Sequence, residues 1–429
     1  MGNVNVNALI GQKMKILFLT DKYWPKPLAN AICAQNIADS FIESGHSVDI
    51  LAYSEEGIQT PKEHNGVRVF TVKPSRQLRL INYARNFPDS PDANHCMKKG
   101  LRLSRIKHAA LLPWFPLSSI SAPKRMEEKV EELYGKYQYD IVVSVFSPFE
   151  AAVSGLRFKR KHPECFWALY TLDTFVNLRQ SHIPERLRDA HYWIPKFLTT
   201  ADIFICMKSR IGWYEEHGYC SVGKGVVVSD IPMLTKSPNF MNSDSQNKSG
   251  NWVYAGSLYK THYDVTDLLV ILEYLCKDDG PTVHFYSSGA EAESLKVHPL
   301  CKAGKIAVHG YVDHDELMRI YDRADVLLSI KTSDQISAKI FEYMTYGKPV
   351  LHISSCKKDP DIHYVEQYAK GFALKAYEVG PDEGARLIEK WMSEEAGYSQ
   401  KNIDLSDFEM NTPAYTRNLL IDAYNARTI

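Results

Sequence analysis

The sequence predicts an α/β protein made of two doubly wound, Rossmann-like domains of similar size. Three observations carry this. Short runs rich in β-branched and aromatic residues alternate with amphipathic stretches along most of the chain, the pattern of parallel βα units. A tract rich in Ser, Asn and Lys, Thr235–Gly250, interrupts that alternation and has linker composition. A chain of 429 residues also exceeds what one core of about 250–300 residues holds.

The elements follow in order. KILFLT (Lys15–Thr20) is a buried-strand run, and after a polar loop Ala31–Glu43 spaces Ile32, Ile37 and Phe41 as a helix would, with Gly45 as its stop. SVDILAY (Ser47–Tyr53) is the next strand, followed later by IVVSVF (Ile141–Phe146), CFWALYT (Cys165–Thr171), DIFICM (Asp202–Met207) and GVVVS (Gly225–Ser229). Beyond the linker come the strands NWVYAG, TVHFYSSG, KIAVHG, DVLLSI and PVLHI, with helices over Val265–Cys276, near Asp315–Arg323 and over Ser337–Tyr346. Phe408–Ala426 reads as a final helix with Leu419, Leu420 and Tyr424 on one side.

Composition excludes several classes. Lys+Arg and Asp+Glu both number 51, so the basic excess of a dedicated nucleic-acid binder is missing. Aromatic residues make up 11% of the chain and, with β-branched ones, run along nearly all of it, which excludes disorder. No apolar run approaches the roughly 18 residues needed to span a bilayer, and residues 1–13 lack the charge and apolar core of a secretory signal. Eight scattered cysteines without a C-x-x-C pair predict reduced thiols and a cytoplasmic location.

One segment breaks the alternation. Residues 76–125 carry ten basic side chains (Arg76, Arg79, Arg85, Lys98, Lys99, Arg102, Arg105, Lys107, Lys124, Arg125) against Asp89 and Asp92, together with LLPWFP (Leu111–Pro116). It reads either as a solvated surface insertion or as a basic-aromatic patch for an anionic membrane surface or a lipid-phosphate acceptor.

In open parallel sheets ligands bind beyond the carboxyl ends of strands. The first such loop, DKYWPKPLAN (Asp21–Asn30), has no glycine, and the chain contains no G-x-G-x-x-G, P-loop, H-E-x-x-H or metal-spaced histidine cluster. The informative segment is DQISAKIFEYMTYGKPVL (Asp334–Leu351). Ser337 can cap a helix ending at Gly347, whose N-terminus offers N–H groups to phosphate. Lys339 lies in the first turn, Glu342 can bridge two ribose hydroxyls, and Asp334 precedes the helix as an acceptor for sugar hydroxyls; taken alone, Glu342 is more often an exposed helix charge and Asp334 a loop acid.

This segment resembles the signature of retaining, nucleotide-sugar-dependent glycosyltransferases of GT-B fold, particularly family 4: an acid, seven residues, a Glu, then a Gly-x-Pro-Val strand entry. The opening KILFLTDKYWPKPLANAICAQNIADSFIESGHSVDILA, then YDIVVSVFSP, ADIFICMKS, YAGSLYK and VHGYVDHDELMRIYDRADVLL resemble other parts of that family in the same order. The resemblance implies two Rossmann-like domains facing across a cleft: residues 14–234 on the acceptor side (with the 76–125 insertion), a 235–250 linker, a 251–404 donor domain, and 405–429 as a helix returning to the first domain.

It also implies roles. Glu342 would bind the donor ribose, Asp334 the transferred sugar, and Lys260 the diphosphate, with backbone N–H groups near Ser337; Gly256, Ser257 and Lys339 complete the donor side, Asn30 faces the donor phosphates, and Asp173 lies on the acceptor side. Asp173, Asp334 and Lys260 are thus the catalytic candidates. Ser257 stands where the family commonly has Arg, Asp334 where it usually has Glu, and Leu172 where His is frequent before Asp173. The implied reaction moves a sugar from a UDP- or GDP-linked donor to a glycan or lipid-linked hydroxyl with retention, in surface polysaccharide assembly, without metal or resident cofactor. No nucleic-acid partner is implied, and the setting is the cytoplasm or the inner membrane face. Two alternatives share the fold: a non-catalytic nucleotide-sugar-binding protein and a nucleotide-sugar epimerase.

Overall fold

The computed structural model describes residues 13–23, 29–54, 62–64, 66–87, 90–111, 116–117, 119–172, 192–235, 250–275, 280–310, 312–395 and 404–428. The chain divides into two compact units, Met1–Pro232 with Met410–Ile429, and Met233–Glu409. The switch of allegiance at 232/233 has a local cause. Asn36 Nδ2 donates to the Pro232 carbonyl (2.9 Å) inside the first unit, whereas Thr345 Oγ1 donates to the Met233 carbonyl (3.5 Å) inside the second. Most of the expected linker, residues 236–249, lies outside the described residues.

The first unit contains β1 (Lys15–Leu19), α1 (Ala29–Glu43), β2 (Ser47–Tyr53), β3 (Lys62–His64), β4 (Val67–Val72), α2 (Arg76–Asn86), α3 (Ala93–Ala110), α4 (Ser121–Tyr137), β5 (Ile141–Val145), α5 (Phe149–Lys161), β6 (Phe166–Thr171), α6 (Ile194–Thr200), β7 (Ile203–Met207), α7 (Ile211–Glu216) and β8 (Val227–Ser229). Its sheet runs β3-β4-β2-β1-β5-β6-β7-β8, parallel except for β3 against β4. Residues of one strand alternate between two cores, as period-2 side chains must. Leu17 and Leu19 join Trp167 and Leu169 under α4 and α5, while Ile16 and Phe18 join Ile50 and Val143 under α1.

The second unit contains β9 (Asn251–Ala255), α8 (Thr266–Leu275), β10 (Thr282–Tyr286), α9 (Ala290–Lys296), α10 (Pro299–Lys302), β11 (Ile306–His309), α11 (His314–Arg323), β12 (Val326–Lys331), α12 (Ala338–Thr345), β13 (Val350–Ser354), α13 (Asp361–Gln367), β14 (Gly371–Lys375) and α14 (Pro381–Glu395). Its all-parallel sheet runs β11-β10-β9-β12-β13-β14. The chain builds outward one way from β9 and the other way from β12, so the strand order reverses between these two neighbours. That reversal is where an open α/β sheet forms its ligand crevice.

The final helix, α15 (Pro413–Thr428), belongs to the first unit. Leu420 is fully buried in the α1-side core, Thr416 and Ser229 share a hydrogen bond (2.8 Å), and Arg417 donates to the Ser40 carbonyl (3.1 Å) and hydroxyl (2.9 Å) on α1. Near its end, Arg427 lies 3.4 Å from Asp202, a carboxylate also paired with Lys159 (2.8 Å) and Lys224 (3.1 Å). The buried Lys159 ammonium is fully used, since it also donates to the carbonyls of Pro163 (2.7 Å) and Cys165 (2.6 Å).

The basic segment forms a helical pair. An ideal Cβ at Gly100 would sit 2.8 Å from Ile81 Cγ1 and 3.1 Å from the Gln77 carbonyl, so glycine allows α3 to lie close against α2. Lys107 Nζ ties the pair by donating to Gln77 Oε1 (2.6 Å). Arg76, Arg79, Lys98, Lys99, Arg102 and Arg105 are exposed, and among them Phe87, Leu101 and Ile106 are 51%, 45% and 56% exposed. Most of LLPWFP, residues 112–115, lies outside the described residues.

Candidate functional site

Within the second unit, three loops leave the carboxyl ends of neighbouring strands: 256–265 after β9, 332–337 after β12 and 355–360 after β13. They are bound to one another. Thr332 N–H donates to the His262 carbonyl (2.9 Å), Thr332 Oγ1 to the Lys260 carbonyl (3.3 Å), and Ser355 N–H to the Lys331 carbonyl (2.9 Å). Helix α12 follows the middle loop and is held over β9, where Ala255 N–H donates to the buried Tyr343 hydroxyl (3.4 Å).

Ser337 occupies the position before the first turn of α12, as expected, but its side chain makes no capping hydrogen bond. Its backbone is the anchored part: Ser337 N–H donates to Asp361 Oδ1 (2.9 Å). Asp361, fully buried, pairs through Oδ2 with the buried Lys331 ammonium (3.3 Å). Burial pushes the Asp361 carboxyl up, and the Lys331 charge opposes that shift. The network continues inward. Asp361 N–H donates to Asp359 Oδ1 (2.9 Å), Ser354 donates to Asp359 Oδ2 (2.7 Å), and His352 bridges Asp359 (2.8 Å) and Ser329 (3.0 Å). His352, Asp359 and Asp361 bring donor atoms within 4.8 Å of one another, yet these same atoms carry the hydrogen bonds just described. The Asp359–Asp361 triplet therefore leads into helix α13, which begins at Asp361, and also fixes the start of α12.

Lys339, in the first turn of α12, reaches back over the end of β9. A Cβ on Gly256 would come within 1.9 Å of its Nζ, so only glycine leaves room for the ammonium there; Gly256 also has φ +132°, a conformation L side chains rarely adopt. Nζ lies 3.4 Å from the Tyr254 hydroxyl and 4.8 and 4.7 Å from the ring centres of Tyr254 and Tyr263. Burial pushes the Lys339 amine down to about 8; Glu342 one turn on pulls it up, and the Lys331 charge lowers it.

Gly256, Lys339, Ser337 and the loop carrying Lys260 thus belong to one linked assembly at the strand-order reversal. Glu342 is half-buried on α12, Asp334 is exposed in the loop before it, and Ser257 and Lys260 are exposed after β9. Asn30 is elsewhere, in the first turn of α1 of the first unit, half-buried. Asp173 lies outside the described residues. Sequence reasoning missed Lys331 and Asp361. A strand-end lysine and an acid opening a helix carry no local signature of mutual contact.

Residues 250–378, within the second unit, match the family model described as Glycosyl transferases group 1. No curated protein matches the chain in sequence. Among solved structures, the chain resembles a sucrose-phosphate synthase from Thermosynechococcus elongatus (12% identity, 96% of this chain, 95% of that one, TM-score 0.54). It also resembles an α,α-trehalose 6-phosphate synthase from Burkholderia multivorans (9%, 97% and 99%, TM-score 0.60) and the catalytic domain of starch synthase IV from Arabidopsis thaliana bound to ADP and acarbose (10%, 96% and 100%, TM-score 0.56). At these identities the likeness is one of fold, and that fold is GT-B. The match to Glycosyl transferases group 1 is confined to residues 250–378, and over the rest of the chain the similarity is that of the fold.

Proposed function

We propose that the protein transfers a sugar from a UDP- or GDP-linked donor to a hydroxyl acceptor, with retention at the anomeric carbon, in surface glycan assembly. The observation that carries this is Lys339 poised over Gly256 at the start of α12, where strand order reverses. The ADP in the starch synthase neighbour supports a nucleoside diphosphate as the ligand class.

Breaking the anomeric C–O bond leaves positive charge on the sugar and negative charge on the diphosphate. Preorganised N–H groups of α12, Lys339 and Lys260 would stabilise that anion without a metal, a contribution of about 10²–10³ in rate for each such donor. The new bond joins the acceptor oxygen to the same face of the anomeric carbon, and the departing phosphate oxygen takes the acceptor proton. In this reading Glu342 holds the ribose hydroxyls, Asp334 the transferred sugar, and Gly256 and Ser257 line the phosphates. As the resemblance implies, Asn30 would serve the donor phosphates and Asp173 the acceptor side.

Glu342→Ala is expected to weaken UDP or GDP binding by at least tenfold in calorimetry, since one carboxylate accepting two hydroxyls loses both bonds. Asp334→Ala should lower transfer more than nucleotide affinity. Equal nucleotide affinity in wild type and the Glu342 variant would defeat the ribose assignment.

No described helix is long and apolar enough to cross a membrane. The α2–α3 pair offers another route to a lipid-linked acceptor, by peripheral contact with the inner face of the membrane. Exposed Leu101 and Ile106 stand among Lys98, Lys99, Arg102 and Arg105 on one helix. Each such cation contributes about 1 kcal/mol near an anionic surface. Sedimentation with vesicles of 30% anionic lipid should capture the wild type at low salt and release it above about 0.5 M NaCl. Reversing Lys98, Lys99, Arg102 and Arg105 to Glu should abolish capture; retained binding by that variant would rule the surface out.

A further inference from the structure

Among the described residues of the second unit, two hydroxyls are buried without a hydrogen-bond partner: Ser287 Oγ and Ser333 Oγ, in residues only 5% and 6% exposed. Native proteins rarely leave buried polar atoms unmatched, because such a group loses water and gains nothing. Their placement suggests what would match them. Ser287 is the first residue after β10 and Ser333 the second after β12, and in the sheet these strands flank β9, which ends at Ala255 just before Gly256. The two orphan hydroxyls therefore leave the strands on either side of the glycine that Lys339 overlies.

The backbone around each is fixed. Ser287 N–H donates to the His309 carbonyl (3.3 Å), and Thr332 N–H, beside Ser333, donates to the His262 carbonyl (2.9 Å). The serine hydroxyls are what this framework leaves unmatched. Hydroxyls at other strand ends of the unit do find partners: Ser354 Oγ donates to Asp359 (2.7 Å) and Thr332 Oγ1 to the Lys260 carbonyl (3.3 Å). Unmatched hydroxyls are thus not a general property of these strand ends.

We propose that Ser287 and Ser333 are donor-contacting residues whose hydroxyls donate hydrogen bonds to the pyrophosphate oxygens of the nucleoside diphosphate. This rests on the reading of the second unit as the donor site. The chemistry suits an anion flanked by cations and N–H groups. A hydroxyl adds a donor without adding charge, and hydrogen bonds to an ionised acceptor are the stronger kind. Ser333 also stands beside Asp334, so the residue assigned to the pyrophosphate and the one assigned to the sugar are adjacent in one loop.

The test uses the full chain, with UDP and GDP titrated calorimetrically into wild type, Ser287→Ala and Ser333→Ala, and with the unliganded melting temperature of each. The wild type binds one of the two nucleotides, and each variant binds it roughly tenfold more weakly. The melting temperature of each unliganded variant equals or exceeds that of wild type, because the substitution removes an unmatched buried group. A purely structural serine would do the reverse, so a variant that melts several degrees lower overturns the proposal for that residue. Unchanged nucleotide affinity in both variants overturns it outright. A wild type that binds neither UDP nor GDP refutes the donor-site reading itself, and the proposal falls with it.

Discussion

Asp361→Ala should destabilise the second unit by about 3–5 kcal/mol, the usual cost of leaving one member of a buried ion pair without its partner. Lys331 is 1% exposed and its ammonium would face the loss directly. Ser337 N–H would lose its acceptor in the same step, so the start of α12 would lose its anchor as well as its charge balance. Two effects are therefore expected together: a large shift in the urea midpoint and loss of UDP or GDP binding. The double variant Lys331→Met, Asp361→Leu separates them. Replacing a buried pair with apolar residues is often neutral or stabilising, so this variant should recover most of the stability. It still lacks the acceptor for Ser337 N–H, and its nucleotide affinity should remain low. A single Asp361→Ala variant within about 1 kcal/mol of wild type would contradict the buried pair as an anchor.

The second large effect concerns Lys339 and pH. Its amine is pushed down to about 8 by burial, so it is charged at pH 7 and mostly neutral at pH 9. A diphosphate binds the charged form, and binding above pH 8 must take up a proton. Affinity should fall about tenfold between pH 7 and 9, because each unit above the free-state value costs a factor of ten. Calorimetry in buffers of different ionisation enthalpy reads the proton uptake directly. Lys339→Arg stays charged throughout and should flatten the dependence, which also subtracts any titration of the base. Stability runs the other way. The folded amine lies below its unfolded value near 10.5, so between about 8 and 10.5 the unfolded chain binds more protons and stability rises with pH. Lys339→Ala should lower transfer by 10²–10³ if the ammonium meets the leaving diphosphate. Proton uptake of zero in the wild type near pH 8.5 would remove Lys339 from the phosphate site.

Much of the fold was readable because parallel strands buried on both faces are continuous apolar runs. KILFLT, IVVSVF, CFWALYT and DIFICM all fall on strands of the first sheet, and DVLLSI and PVLHI on the second. The final helix was legible through Leu420, which the structure buries completely against α1. The α2–α3 pair was not, since charged residues dominate its sequence and its packing turns on one glycine, Gly100. Gly371–Lys375 and Pro381–Glu395 escaped notice for a related reason: β14 is an edge strand with partly buried residues, and α14 is rich in acids. At the site, the spacing of Asp334, Ser337, Lys339 and Glu342 placed one helix and its entry loop. Residues far apart in sequence were invisible to that logic. Lys339 over Gly256 and Lys331 against Asp361 depend on strand adjacency, and Ser337 is anchored by its backbone where spacing suggested a side-chain cap.

Ser229 and Thr416 meet across 187 positions, and the whole second unit is inserted between them. On the ribosome, the first unit is consequently the earliest to begin and the last to finish. Until α15 emerges, the α1 surface that receives Leu420 stays uncovered, while Met233–Glu409 already has its full complement of strands. Synthesis order and completion order are inverted, and any arrest in the final stretch leaves an apolar face exposed to chaperones on the half made first.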